Sequence, residues 1–195
     1  MKERIRNIST EVLSKGWSTL STISFDYRRC DGNWERQQRE AYDHGNGAAI
    51  LLYNPGKGTV LLTRQFRMVT YLYGNPEGML WEVPAGLLDE EHPDEGIRRE
   101  TEEETGYRPG AIRPLFSAYM SPGSLTELVY FYAAEYDATM KTAEGGGVVQ
   151  EQEEIEVVEL PFAKALEMIY TGEIRDGKTI MLLQWAALNG VMSNE

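Results

Sequence analysis

From Ser21 the run STISFDYRR alternates apolar and polar residues, the two-residue period of a strand with one face on a core. DGNWERQQREAYDHGNG then supplies a turn and a second extended run, so the pair is expected to form a hairpin. AAILLYN and TVLLTRQFR are compact β-rich runs of buried character, joined by the turn residues Pro55 to Gly58. GMLWEVPAGLL predicts a strand ending at Pro84, with a loop running through Asp89 to Glu91. Pro93 suits a first helical turn, Asp94 and Glu95 sit near the positive end of the helix dipole, and Gly106 ends a helix that reaches Thr105.

Beyond that helix, AIRPLFSAYM and LVYFYAAEY predict strands joined by the turn-rich SPGSLTE, and EIEVVEL predicts another after a polar, glycine-rich loop. PFAKALEMIY and TIMLLQWAALNG predict two closing helices, the second ended by Gly190. Many strands with few helices imply a mixed α/β core. The sequence has 195 residues, room for one ordinary domain, and shows no internal repeat.

The predicted helix carries an anomaly. In RRETEEETGY, Glu100, Glu103 and Glu104 share one face at spacings of three and four, where like charges repel, and they lie at the helix end that already disfavours negative charge. Asp94 and Glu95 each have an arginine four residues on, Arg98 and Arg99, but the C-terminal half has no such support. Gly96 inside the helix costs about 1 kcal/mol more against alanine. Bound positive charge resolves the conflict. Carboxylates at these spacings converge, and hard oxygen donors suit Mg²⁺ or Mn²⁺. With two histidines and one cysteine, zinc is the poorer match.

Composition narrows the partners. With 19 basic and 31 acidic residues the formal charge is −12, which argues against a nucleic-acid binder. Cys30 is the sole cysteine, so no internal disulfide forms, a sign of a reducing compartment. MKERIRNIST lacks an apolar leader core and no run nears the roughly 20 apolar residues that span a bilayer. The expected setting is the cytoplasm, with no membrane partner.

The stretch GLLDEEHPDEGIRRETEEETGY, preceded by VPA, resembles the box of the Nudix hydrolases. Arg99, Glu100, Glu103, Glu104, Gly106 and Tyr107 fall in its register, with Ala85 at the place of the first glycine and Glu91 or Glu90 as the first glutamate. REAYDHGNGAAILLYN, RQFR, YMSPGSLTELVYFYAAEY with Pro122, and FAKALEMIYTGEIRDGKT extend the likeness to the subgroup that cleaves nucleoside diphosphate sugars, its GDP-mannose branch in particular.

The resemblance implies a Nudix α/β/α sandwich with a mixed β-sheet: one domain over 1–195, in which 1–45 is an N-terminal β extension that joins a homodimer. It implies Mg²⁺-dependent hydrolysis of a pyrophosphate bond, GDP-mannose giving GMP and mannose 1-phosphate. ADP-ribose is the competing substrate, and a non-catalytic nucleotide-binding module the rival class. By the same resemblance Glu100 and Glu104 are the principal metal ligands, joined by the Ala85 carbonyl and Glu103, while Arg99 orients a box glutamate. A further carboxylate near the attacking water, as general base or as metal ligand, comes from VVQEQEEIEV: Glu153 by register from Ile155, with Glu151 as the alternative. Gly145 to Gly147 would let that loop close over substrate.

Arg67 and Arg39 would supply charge for phosphate. Trp17, Gln38, Glu40, Gly86, Leu87, Glu127 and Lys178 take nucleotide or sugar contacts, Trp17 by stacking on the base. His44 and His92 receive no catalytic role.

Overall fold

The computed structural model describes residues 4–88, 91–148, 150 and 152–192. The chain divides into two compact units, the first running up to Asn46 and taking in Tyr119–Leu128, the second comprising Gly47–Ala118 and the chain from Val129.

The first unit is a three-stranded antiparallel sheet in the order β1 (Ile5–Lys15), β2 (Thr19–Arg28), β3 (Trp34–Asp43). β2 and β3 are the predicted hairpin, in unbroken register from Thr19↔Asp43 to Arg28↔Trp34. β1 is a third strand that the residue pattern does not mark, although it falls within the N-terminal β extension implied by the resemblance. Every residue of it is exposed, and its pairing with β2 slips between Arg6 and Ser9 and again between Val12 and Ser14. The segment 119–128 is tied to β3 by Tyr42, whose N–H donates to the Ser124 carbonyl at 2.8 Å and whose carbonyl accepts from the Thr126 N–H at 3.2 Å.

The second unit is built on a seven-stranded mixed sheet. Its main path runs β10 (Ile155–Pro161), β5 (Thr59–Phe66), β4 (Gly47–Asn54), β9 (Leu128–Glu135), β8 (Arg113–Tyr119). β4 and β9 are parallel, whereas β5 is antiparallel to both β4 and β10. The strand expected over GMLWEVPAGLL is two short strands, β6 (Met79–Glu82) and β7 (Ala85–Leu87), and it does not run through to Pro84. The reason is topological. β4 and β5 pair only near their turn, from Leu52↔Leu61 to Asn54↔Thr59. Where they part, β6 pairs with β5 and β7 crosses over to β4. Pro84, which has no N–H to offer a ladder, sits at the crossing, and its carbonyl accepts from the Ile50 N–H at 3.0 Å.

Four α-helices among the described residues complete this unit. α1 (Met68–Leu72) was not anticipated and buries no residue. α2 (Pro93–Thr105) has the predicted limits: Pro93 opens it, the His92 side chain accepts the Asp94 N–H at 3.3 Å, and Gly106 closes it at φ 73°. α3 is Phe162–Thr171, and α4 is Gly177–Leu188, beginning two residues before the expected Thr179 because Asp176 caps it.

Residues of β4 alternate between the two faces of the sheet. Ala48, Ile50 and Leu52 form one core with Leu88, Tyr132 and Ile97 of α2. Ala49 and Leu51 point the other way and are equally buried, as are Leu182, Leu183 and Ala186 of α4, which packs against β4 and β6. Helices thus cover both faces of a mixed sheet, the expected α/β/α layering. Each buried leucine or isoleucine among them contributes about 1.5–3 kcal/mol, which makes the sheet a rigid base for α2 and β7. Among the described residues no helix is long and apolar enough to cross a membrane.

Candidate active site

The acidic face of α2 lies beside β7, and the two elements are fitted to each other. Glu100 leans its carboxyl over the bare Cα of Gly86, so close that a Cβ there would stand 2.1 Å from the carboxyl carbon. Glu104 is 2 % exposed, and the Ala85 N–H donates to its Oε2 at 3.3 Å. Ala85, Gly86, Glu100 and Glu104 are therefore neighbours, and Leu87 continues the same strand.

Electrostatics set the two carboxyls apart from ordinary ones. Burial, helped by the charges of Glu103 and Glu153 and opposed by Arg99, pushes the Glu100 carboxyl up to about 7. Burial together with the charges of Glu100, Glu82 and Glu153 raises Glu104 well above the usual carboxylate range, against the lowering effect of the Ala85 N–H. The charge of Glu153 is among the smaller causes of both shifts. Its carboxylate, however, is turned onto its own loop, where Oε2 accepts the Val148 N–H at 2.9 Å. Glu151, the alternative loop carboxylate, and Glu90, the alternative first glutamate, lie outside the described residues.

Several expectations about the stripe need correction. The C-terminal half of α2 is not unsupported: Arg108 pairs with Glu102 at 2.7 Å, and Arg99 holds Glu103 at 2.9 Å, Glu100 at 3.0 Å and Glu91 at 3.2 Å. Nor are the expected pairs Asp94 with Arg98 and Glu95 with Arg99 the ones formed. Asp94 accepts from the Tyr132 hydroxyl at 2.7 Å, and Arg98 donates to the carbonyls of Pro109 and Gly110. Among the described residues no three acidic, histidine or cysteine side chains already converge as a cage. Arg99 draws Glu103 and Glu100 to itself, and Glu153 faces Val148. Gly96 has a packing reason as well, since a Cβ there would stand 2.5 Å from Leu88 Cδ2.

The glycines at 145–147 are not free either. Gly146 and Gly147 donate N–H bonds to the carbonyls of Glu104 and Glu103, at 2.9 and 3.1 Å. Their backbone is docked on the end of α2.

Sequence reasoning missed Glu82, which organises the cations. This glutamate is 3 % exposed and receives Arg67 Nε at 2.8 Å, with Lys178 Nζ at 3.5 Å. Lys178 also contacts Asp176 at 2.8 Å. Asp176 accepts the backbone N–H and the hydroxyl of Thr179, at 2.9 and 2.8 Å, and the Thr179 hydroxyl accepts the Val83 N–H at 2.8 Å. The motif RDGKT thus fastens the β6–β7 crossing to α4. Carboxylates of Glu82, Glu104 and Asp176 raise the Arg67 guanidinium further above its already high value despite burial. No sequence spacing links Glu82 to Asp176. Only the β6 break brings them together.

The remaining expected residues belong to the first unit. Gln38, Arg39 and Glu40 are exposed on β3; Gln38 donates to the Ser24 hydroxyl at 3.0 Å and Arg39 to the Gln37 side chain at 3.1 Å. Trp17 is 81 % exposed in the β1–β2 turn, with its ring stacked on His44 at 6.0 Å between centroids, and Glu127 is half-buried beside Leu128. His44 is no ordinary surface residue, because its Nδ1 is buried without a hydrogen-bond partner among the described residues.

Residues 43–183 match the family model described as the NUDIX domain. The chain belongs to the Nudix family. Within this Nudix chain, residues 4–42 match a second model, the GDP-mannose pyrophosphatase NudK N-terminal domain. The chain is 55 % identical over 192 residues to a GDP-mannose pyrophosphatase of Yersinia enterocolitica, covering 98 % of this chain and 100 % of that one. It is 52 % identical over 192 residues to one of Escherichia coli, with the same coverage, and 50 % identical over 193 residues to one of Klebsiella pneumoniae, covering 99 % and 96 %.

Nudix membership implies a divalent metal, and the donor set here fits one. Glu104 and Glu100 are oxygen donors whose proton affinities are lifted first by burial and then by neighbouring carboxylates. Positive charge among them would reverse that effect.

Proposed function

We propose that this Nudix enzyme hydrolyses the pyrophosphate bond of GDP-mannose, giving GMP and mannose 1-phosphate. The observation that carries this reading is the identity of half or more, over nearly the whole chain, to relatives bearing the GDP-mannose pyrophosphatase name. The carboxylates of α2 supply the chemistry.

Glu100, Glu104 and the Ala85 carbonyl would hold Mg²⁺, with Glu103 and Glu153 as further donors once Arg99 and Val148 release them. A divalent ion held there supplies positive charge against the diphosphate oxygens. Arg67 and Lys178, held in place by Glu82 and Asp176, bind the diphosphate. Glu153 accepts a proton from the attacking water as its oxygen bonds to phosphorus and the bridging P–O bond breaks, the electron pair leaving on the departing phosphate. Arg99 orients Glu100 and Glu103. Gly86 and Leu87 line the substrate beside Glu104. Trp17, brought by dimer formation to the site of a second copy, is assigned to stack on guanine, with Gln38, Arg39, Glu40 and Glu127 as the remaining candidate contacts.

The extension 1–45 is read as the dimer-forming part of a single Nudix domain, because Ile5, Ile8, Val12 and Leu13 of β1 all stand exposed. The cytosol is its proposed compartment, in keeping with the free thiol of Cys30.

The test is a panel of GDP-mannose, GDP-glucose, ADP-ribose and ADP-glucose with Mg²⁺ and product identification. GDP-mannose should be turned over most efficiently, yielding a nucleoside monophosphate. Preference for ADP-ribose would move the assignment to that substrate, and no turnover of any would remove the enzyme reading.

A further inference from the structure

The loop before β10 is tied at both ends to the machinery around it. The N–H groups of Gly146 and Gly147 donate to the carbonyls of Glu104 and Glu103 at 2.9 and 3.1 Å, and those of Thr142 and Ala143 donate to the Gly106 carbonyl at 2.8 and 3.2 Å. These are carbonyls that a helix end leaves without an internal partner. From the other side, the N–H of Ile155, the first residue of β10, donates to the Gly146 carbonyl at 3.1 Å.

The fit admits no side chains at its closest points. Gly145, Gly146 and Gly147 have φ of 74°, 107° and 83°. A Cβ on Gly145 would stand 2.4 Å from the Thr105 carbonyl carbon and 2.6 Å from the Glu104 oxygen, and one on Gly106 would stand 2.1 Å from the Ala143 oxygen. The two backbones interlock. A partly open pocket of about 410 Å³ bordered by Leu61, Tyr107 and Lys141 adjoins Gly145 and Gly146, and the hydrogen bonds above tie the segment to α2.

Glu153 is the side chain that this arrangement locates. Its carboxylate folds over Gly147, where a Cβ would meet Oε2 at 2.6 Å and the Glu153 Cβ at 2.7 Å. Glu153 stands two residues before Ile155, and its charge acts on both Glu100 and Glu104.

We propose that Gly145–Gly147 is a positioning strap which, by locking the loop to the end of α2, sets the place of Glu153 relative to Glu100 and Glu104. The inference rests on Glu153 serving the hydrolysis proposed above. A hinge would need these glycines to move freely, whereas a strap needs them docked.

The test is a double-mutant cycle on GDP-mannose with Mg²⁺, using Gly145→Ala and Glu153→Gln singly and together. Gly145→Ala should lower kcat about 30-fold with KM within about twofold, since the strap acts on the reacting geometry and not on binding. In the Glu153→Gln background the same change should alter kcat by less than about twofold, because the residue it positions is already lost. A full 30-fold loss in both backgrounds overturns the proposal, as does wild-type turnover by Gly145→Ala. If Gly145→Ala does not fold, Gly146→Ala takes its place. There a Cβ meets nothing nearer than 3.8 Å and only φ is strained, so a smaller loss with the same non-additivity is expected, and an additive loss refutes the strap. Undiminished kcat in Glu153→Gln alone also overturns it while leaving the hydrolase intact. A wild-type protein inert toward GDP-mannose brings down the parent reading and the strap with it.

Discussion

Replacing Glu100 by Gln should stabilise the metal-free protein. The Glu100 carboxyl is pushed up to about 7 in the fold from an ordinary 4.5, chiefly by burial, and its side chain is only 15 % exposed. A carboxyl whose folded value is raised gives its full stability below the unfolded value and loses it as pH climbs through the folded one. Between about pH 4.5 and pH 7, therefore, ionisation is increasingly resisted by the fold. A tenfold rise in proton affinity on folding corresponds to about 1.4 kcal/mol, so the cost is about 1 kcal/mol at pH 5.5 and about 3 kcal/mol at pH 8. Gln carries no such charge and avoids the cost at every pH. Calorimetric melting in EDTA should show Glu100→Gln above wild type by roughly 6–12 °C at pH 8 and by only a few degrees at pH 5.5. With saturating Mg²⁺ the order should close or reverse, since the ion stabilises only the form that can bind it. A variant that melts lower than wild type in EDTA at pH 8 would refute the claim that the fold resists ionisation of Glu100.

Three further outcomes follow from particular contacts. Gly86→Ala places a Cβ against the Glu100 carboxyl, the movable end of a side chain, so turnover should fall about 100-fold with melting shifted by only a few degrees; intact kcat would show that Glu100 need not lie over Gly86. Arg67→Lys keeps the charge but not the Nε–H that engages Glu82, and should raise KM for GDP-mannose about tenfold, a result that steady-state kinetics would contradict by finding KM unchanged. Thr179→Val strands the buried Val83 N–H and should cost about 1–3 kcal/mol in urea unfolding, and a neutral effect would mean the β6–β7 crossing is held by other contacts.

Local pattern made α2 and the sheet strands legible because their apolar faces meet a core: AAILLYN is buried on both sides, and Pro93 and Gly106 mark the helix ends by their own backbone preferences. β1 was illegible for the opposite reason. It faces no core, and its apolar residues at 5, 8, 12 and 13 follow no two-residue period. The split between β6 and β7 depends on where β4 and β5 diverge, a long-range fact absent from the run GMLWEVPAGLL itself. In the site, the stripe of glutamates was visible, yet its partners were not. Arg108 reaches Glu102 only after Gly106 turns the chain, and Arg99 chooses Glu91, Glu100 and Glu103 over Glu95. Glu82 gave no signal, since a lone glutamate in a strand acquires meaning only when Arg67 and Lys178 close around it. The three glycines suggested freedom of movement, and close backbone approach is what they provide.

The carboxylates of α2, with β7 beneath them, are proposed as the seat of a divalent cation. Calorimetric titration of Mg²⁺ into the wild-type protein and into Glu104→Gln, each at pH 8 with its folding checked by circular dichroism, tests it most directly. Saturable binding by the wild type, with affinity reduced at least about tenfold in the variant, is the expected result. Equal binding by both proteins, or none by the wild type in the presence of GMP, would contradict it.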